Sequence, residues 1–217
     1  MKIKSMTLLI TLLLMNYACQ STRSQYPNHW WAKISDQQVP GWEILPDRGE
    51  KGKSVILSKR HELGLLSNFA ATPFIFRGKQ YQSMEGLWQS MKYPENKQDE
   101  RARFKGVTWP YSRAQVEHMV AFEAKKAGDI ASANMKKMNI NWVTFEGKRM
   151  PYRVPDKGEH YQIIRTAMEQ KLKQNVNVKN ALVSTKNLIL LPDHKSGPNL
   201  PPAWDYCQIW MELRSEL

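Results

Sequence analysis

Three polar residues in one short segment have the types and spacing to do chemistry. In SMEGLWQSMKY, Glu85, Gln89 and Lys92 fall at i, i+4 and i+7. A helix over residues 83–93 brings this carboxylate, amide and ammonium onto one side. Such a carboxylate can stabilise a developing cation or take a proton from water. The start of a helix favours its ionised form. The ammonium can hold it ionised or bind a phosphate. The same spacing also suits a solvated helix face, its commoner use. Arg149 and Arg153, in the turn KRMPYR, offer bidentate phosphate contacts or form a basic surface loop. No histidine pair has metal-ligand spacing, and no Gly-x-Ser-x-Gly occurs. Cys207 lacks a neighbouring base in sequence and suits a small packed residue. The expectation is therefore no metal, no cofactor and no thiol catalysis. DRGEKGKS, at 47–54, superficially resembles a phosphate loop, but Asp47 stands where glycine is needed and a strand pattern follows.

The elements that would position these residues are short and mixed. Residues 20–29 read as a polar tether, whereas Trp30, Trp31 and Trp42 make 30–45 a packed segment. Strands are expected at 54–59 and 188–191, a hairpin at 73–81 turning at Gly78, and a strand and turn at 141–153 around Gly147. Ser83 can cap the helix over 83–93, and Pro94 stops it. Met84, Leu87, Trp88 and Met91 give that helix an apolar face. Residues 94–111 read as an inserted loop. Ser112 and Gln115 form a capping box for a helix to about 127, which Gly128 ends or bends before a further stretch at 129–138. Helices are expected at 159–174, 177–184 and 204–217, with a Pro-rich loop at 192–202. The order is not a regular βαβ alternation, so the fold class is α+β, helix-rich, with a small sheet.

The chain has 217 residues, enough for one domain with an extension, and a formal charge of +12. Two cysteines exclude a disulfide-dense scaffold and a four-cysteine zinc site. Lys2 and Lys4 precede an apolar run from Met6 to Met15, too short to span a bilayer and suited to a secretory signal at 1–18. Ala18-Cys19 is similar to the lipobox of bacterial lipoproteins, which makes Cys19 a lipidation candidate and the cell envelope the expected location. Without residues 1–18 the charge is +10. Such a balance suits phosphate-bearing ligands or an anionic surface. The densest basic zone, 123–153, has seven basic and three acidic residues and no Lys/Arg run, so nucleic acid is not the expected partner.

Residues 66–93, LSNFAATPFIFRGKQYQSMEGLWQSMKY, resemble the opening of the NADAR family, which includes the YbiA-like proteins. Leu66-Ser67-Asn68-Phe69, Pro73, Gly78, Tyr81, Ser83, Glu85, Gln89 and Lys92 carry the resemblance. Ala124-Lys125-Lys126-Ala127-Gly128, Met168, Lys171 and Trp210-Met211-Glu212-Leu213-Arg214 extend it over residues 55–217, leaving 30–54 as a packed extension.

The resemblance implies N-glycosidase chemistry on phosphorylated or ADP-ribosylated ribosides, with Glu85 as catalytic carboxylate. Cleavage of a ribosyl C–N bond passes through an oxocarbenium-like state, which an anion stabilises. On this reading Lys92 assists Glu85, and Asn68, Trp88, Gln89, Lys125 and Lys126 contact substrate, with Arg149 and Arg153 on phosphate. Two departures stand out. Glu159-His160 replaces the family's Asp-Trp pair, and Asp193-His194 is the nearest acidic candidate for its late Asp. Glu159 and His160 are therefore further ligand contacts and Asp193 the second catalytic candidate. The expected partners are a small phosphoriboside or ADP-ribose-type molecule, and the membrane through a lipidated Cys19. No obligate protein partner is evident. The alternative is a non-catalytic binding module for nucleotide derivatives, tethered to the envelope.

Overall fold

The computed structural model describes residues 25–35, 39–195, 197 and 199–217. The expected signal at 1–18 and Cys19 lie outside the described residues. Among the described residues, six strands of three or four residues pair off two by two. β1 (Ser54–Ile56) runs parallel to β6 (Ile189–Leu191), with Val55 opposite Leu190. β2 (Phe74–Phe76) and β3 (Lys79–Tyr81) form a hairpin, as do β4 (Trp142–Phe145) and β5 (Lys148–Pro151). Both hairpins close on a residue–glycine pair with positive φ, Arg77-Gly78 and Glu146-Gly147, as tight two-residue turns require.

Among the described residues seven α-helices supply the bulk: α1 (Met84–Ser90), α2 (Glu100–Arg103), α3 (Arg113–Glu117), α4 (Ala121–Lys137), α5 (Glu159–Gln174), α6 (Val176–Ser184) and α7 (Tyr206–Ser215). The fold is α+β and helix-rich, with its small sheet divided into three two-stranded pieces. Leu57, Leu66, Leu87, Ile164, Met168 and Trp210 lie in one main core. A smaller cluster of Tyr93, Val116, Met119, Ala124, Ala127 and Ala131 joins α3 and α4 beside α1. Cys207 is buried in the main core, and burial raises its thiol pKa, which keeps it inert. Among the described residues no helix is long and apolar enough to cross a membrane.

Three expectations are corrected. The helix expected from Ser112 does not run to Gly128: it stops at Glu117, and α4 starts at Ala121 and continues through Gly128. The break falls at 118–120 because Ala121 takes a left-handed φ of 49°, which no sequence pattern marks. The inserted loop at 94–111 is ordered by α2. Its Arg101 is fully buried and donates to the carbonyls of Met91 and Lys92, both at 3.1 Å. Part of the stretch read as a tether, 20–29, makes fixed contacts: Tyr26 packs against the main core and His29 bonds Glu62.

Candidate functional site

α1 is short and fixed on every side. Ser83 Oγ accepts from Gly86 N and donates to the Met119 carbonyl, both at 2.9 Å. A side chain at Gly86 would meet the Met119 and Val116 carbonyls within 3 Å, so only glycine lets α1 lie this close to the α3–α4 link. Beyond the last turn, Arg113 Nε donates to the Ser90 carbonyl at 2.9 Å, next to the two carbonyls that Arg101 takes. Guanidinium groups thus satisfy the orphan carbonyls of this helix end. The backbone N–H of Glu85 donates to the Asn68 carbonyl at 2.9 Å, which ties the Ser67–Asn68 turn to the catalytic candidate. Lys171, fully buried, holds the same turn from behind by donating to the Ser67 carbonyl at 2.9 Å.

The polar stripe is not a solvated face. Glu85, Gln89 and Lys92 are all buried, at 7%, 7% and 6% exposure, along a cavity of about 770 Å³. Gln89 Nε2 donates to Glu85 Oε1 at 2.7 Å. Lys92 Nζ donates to Ser132 Oγ at 3.0 Å, and Ser132 Oγ donates to the Gly128 carbonyl at 2.8 Å. Gly128 makes room for the Gln89 amide: a Cβ there would sit 1.8 Å from Gln89 Oε1, at the flexible end of that side chain. Desolvation raises the Glu85 pKa, opposed by the Gln89 hydrogen bond and the Lys92 charge. Desolvation lowers Lys92 to about 8, opposed by Glu85. A carboxylate and an ammonium, each with its charged form disfavoured by burial, therefore share one wall of the cavity.

The remaining lining is aromatic and basic. Trp88 and Trp204 meet edge to face with centroids 5.6 Å apart, and Arg153 lies over Trp204 at 5.2 Å. Elsewhere in the cavity Trp42, Phe69 and Phe122 form a second aromatic surface, with Lys59 over Trp42 and Phe69. Five basic side chains (Lys59, Lys92, Lys125, Arg153 and Lys195) face two carboxylates, Glu85 and Asp129. The Asn68 Oδ1 is buried without a hydrogen-bond partner, an acceptor free for a ligand donor.

Of the residues singled out from the sequence, Asn68, Glu85, Trp88, Gln89, Lys92, Lys125 and Arg153 line this cavity. Others do not. Lys126 is exposed outside the lining, while Lys125 at the rim pairs with Asp129 at 2.7 Å. Arg149 stacks on Trp142 and pairs with Glu100, and Glu159 pairs with Lys148, both on the surface. His160 packs against Trp88 with centroids 5.0 Å apart, and burial lowers its pKa to about 4. It is a neutral support beneath the cavity wall. Asp193 is 1% exposed and lies behind the lining, bonded to Lys59 and His194, which do face the cavity. Those partners and the His194 hydrogen bond hold its pKa down against desolvation. Trp42, Lys59, Phe122, Ser132, Lys195, Trp204 and Tyr206 also line the cavity and carry no local sequence signal. Among the described residues no group of three or more His, Cys, Asp or Glu could hold a metal ion.

The fold and its cavity define an α+β domain with a buried carboxylate, Glu85, at the wall of a basic, aromatic cavity. No family model matches the chain, and no curated protein sequence matches it. Among solved structures the chain is similar to the NMR structure of the E. coli protein YbiA, at 18% identity and a TM-score of 0.47, over 76% of this chain and 85% of that one.

Proposed function

We propose that the protein is an N-glycosidase that hydrolyses the ribosyl C–N bond of a phosphorylated or ADP-ribosylated riboside. The observation that carries this reading is Glu85, a carboxylate desolvated in a cavity whose other charges are mostly positive. The motif resemblance at 66–93 supports it. Lys92 and Arg153 attract the phosphate, Asn68 Oδ1 accepts from a ribose hydroxyl or base N–H, and Trp88 with Trp204 offers a surface for a planar base. As the C1′–N bond breaks, its electron pair leaves with the base, which takes up a proton from solvent water; the proton that Glu85 later receives returns to solvent. Ionised Glu85 stabilises the ribosyl cation, and water adds to C1′ while its proton passes to Glu85. Gln89 aims the carboxylate, and the Lys92 ammonium favours its ionised form. Asp193 acts through Lys59 and His194, which it orients, rather than on the substrate.

The test is turnover on a panel of phosphoribosides and ADP-ribosylated compounds, with release of the ribose species as readout. Glu85→Gln keeps shape and the Gln89 contact but loses charge and basicity. It is expected to fold and bind as before and to lose at least about 10²-fold in turnover, the lower range for a general base. Full activity in that variant would transfer the role to another carboxylate. A wild-type protein that binds the panel and cleaves none of it would leave the non-catalytic binding module.

A further inference from the structure

We infer that His194 is the general acid of the site: the proton that the leaving base draws from solvent reaches it through this imidazole. The role presupposes the glycosidase reading and adds a catalytic residue to it. In a direct displacement the attacking water and the departing base lie on opposite faces of C1′. With Glu85 on the water side, the group that protonates the base belongs across the cavity. Two chains of contacts lead round the cavity from Glu85 and meet at His194. One runs from the Glu85 N–H to the Asn68 carbonyl and to Phe69, next in sequence. Lys59 lies over the Phe69 ring and pairs with Asp193, the neighbour of His194. The other runs from Trp88, one turn along α1, to the edge of Trp204 and on to Tyr206. The Tyr206 ring lies parallel to that of His194, with planes within 10° and centroids 6.3 Å apart. Every side chain on both routes except Asp193 lines the cavity.

The surroundings of His194 suit proton transfer. Its Nδ1 lies 3.1 Å from Asp193 Oδ1. Burial raises the Asp193 pKa, but the bonds from His194 and Lys59 outweigh it, so Asp193 is an anion and only accepts. Nδ1 therefore carries the hydrogen of that bond, and Nε2 is left to trade protons with a ligand. The side chain is 46% exposed, so water can reload it between turnovers. Its loop is fixed by the N-terminal extension: residue 194 pairs antiparallel with Glu43, and Ile44 N donates to the Asp193 carbonyl at 2.7 Å. Glu43 in turn holds Arg60 through bonds of 2.6 and 2.7 Å. Of the other proton carriers in the lining, Lys92 stands on the helix of Glu85 and is bonded to Ser132, and Lys59 is bonded to Asp193. In the step, the electron pair of the C1′–N bond goes to the base and the Nε2 proton goes to a base nitrogen. Neutral His194 then takes a proton from solvent water, and Glu85 releases one there.

Two probes with the same ribosyl 5-phosphate test this role. Hypoxanthine leaves inosine 5′-monophosphate as a neutral base only when it is protonated. Nicotinamide leaves nicotinamide mononucleotide neutral without a proton, because its ring nitrogen is cationic in the substrate; the titration of groups other than His194 is read on this probe. The measurement is kcat for both, on the full chain. His194→Gln keeps a donor for Asp193 but has no proton to give. It is expected to lower kcat for the inosine compound relative to the nicotinamide compound by at least about 10²-fold, the low end for a general acid. Free imidazole added to His194→Ala should recover the inosine reaction selectively, which a merely structural role for the ring would not produce. A ratio unchanged in His194→Gln, whether both rates fall together or neither falls, overturns the inference and leaves the glycosidase reading standing. So does a wild-type protein that cleaves the nicotinamide compound alone, since its site then supplies no acid. A wild-type protein that cleaves neither probe, nor any riboside of the panel, overturns both.

Discussion

Glu85 stands in the first turn of α1, where the helix dipole favours a carboxylate by about 0.3–1 kcal/mol at an exposed site. Burial opposes this and is the largest influence on the group, so its pKa lies above the usual carboxylate range. The expectation of a readily ionised Glu85, drawn from helix position alone, is thereby corrected. The chemistry proposed for it needs the anion, and the neighbouring Lys92 supports the anion only while protonated. Turnover should then rise with pH as Glu85 loses its proton, at a pH above that of an ordinary glutamate. It should fall again near pH 8 as Lys92 becomes neutral. A kcat/KM profile across pH 4–10 checks both limbs. Lys92→Met should abolish the alkaline limb while lowering the plateau. An alkaline limb that survives in Lys92→Met would assign it to another group.

At the scale of elements, α1 and α4 form the site by touching through glycine. Gly128 is the space into which the end of Gln89 fits, and Gln89 is what aims Glu85. Gly128→Ala should favour helix α4 by about 0.5–1 kcal/mol, since alanine loses less backbone freedom there. It must also displace the flexible Gln89 amide and break the bond to Glu85. The expected result is a Tm equal to or above wild type with turnover reduced about tenfold, from a hydrogen bond to a charged group worth roughly 1.5–3 kcal/mol. Adding Gln89→Ala should cost nothing further in turnover, a non-additivity that a double-mutant cycle measures. Additive losses would show that Gly128 acts elsewhere. This pair also marks what the sequence could and could not tell. The Ser83 cap, the Met84–Leu87–Met91 face and the Ser112–Gln115 box are local and periodic, and they were legible. So was the Glu85–Gln89–Lys92 stripe, although only the fold decides that it points into a cavity. Gly128 looked like a helix stop because a string of letters does not display a side chain arriving from another helix. The cavity positions of Lys59, Trp42 and Phe122 were hidden for the same reason: Asp193 lies far along the chain from Lys59, and Phe122 far from Trp42.

Across the whole molecule, α1, α5 and the strand pair β4–β5 are held together near His160. The imidazole starts α5, meets Trp88 of α1 edge to face, and faces Tyr152 just past β5 at 6.1 Å. Among the described residues its Nδ1 is buried without a hydrogen-bond partner. Desolvation, with a smaller contribution from the Lys92 charge, lowers its pKa from 6.5 to about 4. The unfolded chain therefore binds a proton in the window between these values that the folded chain refuses. By linkage, stability is full above about pH 6.5 and is lost as pH falls toward 4, with an upper bound of about 3 kcal/mol from this group. The loss should be cooperative, because protonation strikes where three parts of the fold meet. Urea unfolding at pH 7.0, 5.5 and 4.5 measures it. His160→Phe, which keeps a ring against Trp88 but cannot titrate, should start from similar stability at pH 7 and lose markedly less on acidification. Glu85 works in the opposite sense: its raised pKa makes the folded state bind the extra proton, so acid relieves the cost of burying its charge. A Glu85→Gln background should accordingly steepen the acid loss while His160 still sets its position. If His160→Phe and wild type lose stability in parallel between pH 7.0 and 4.5, the acid sensitivity of the fold belongs to other groups, and His160 is only a ring that fills space.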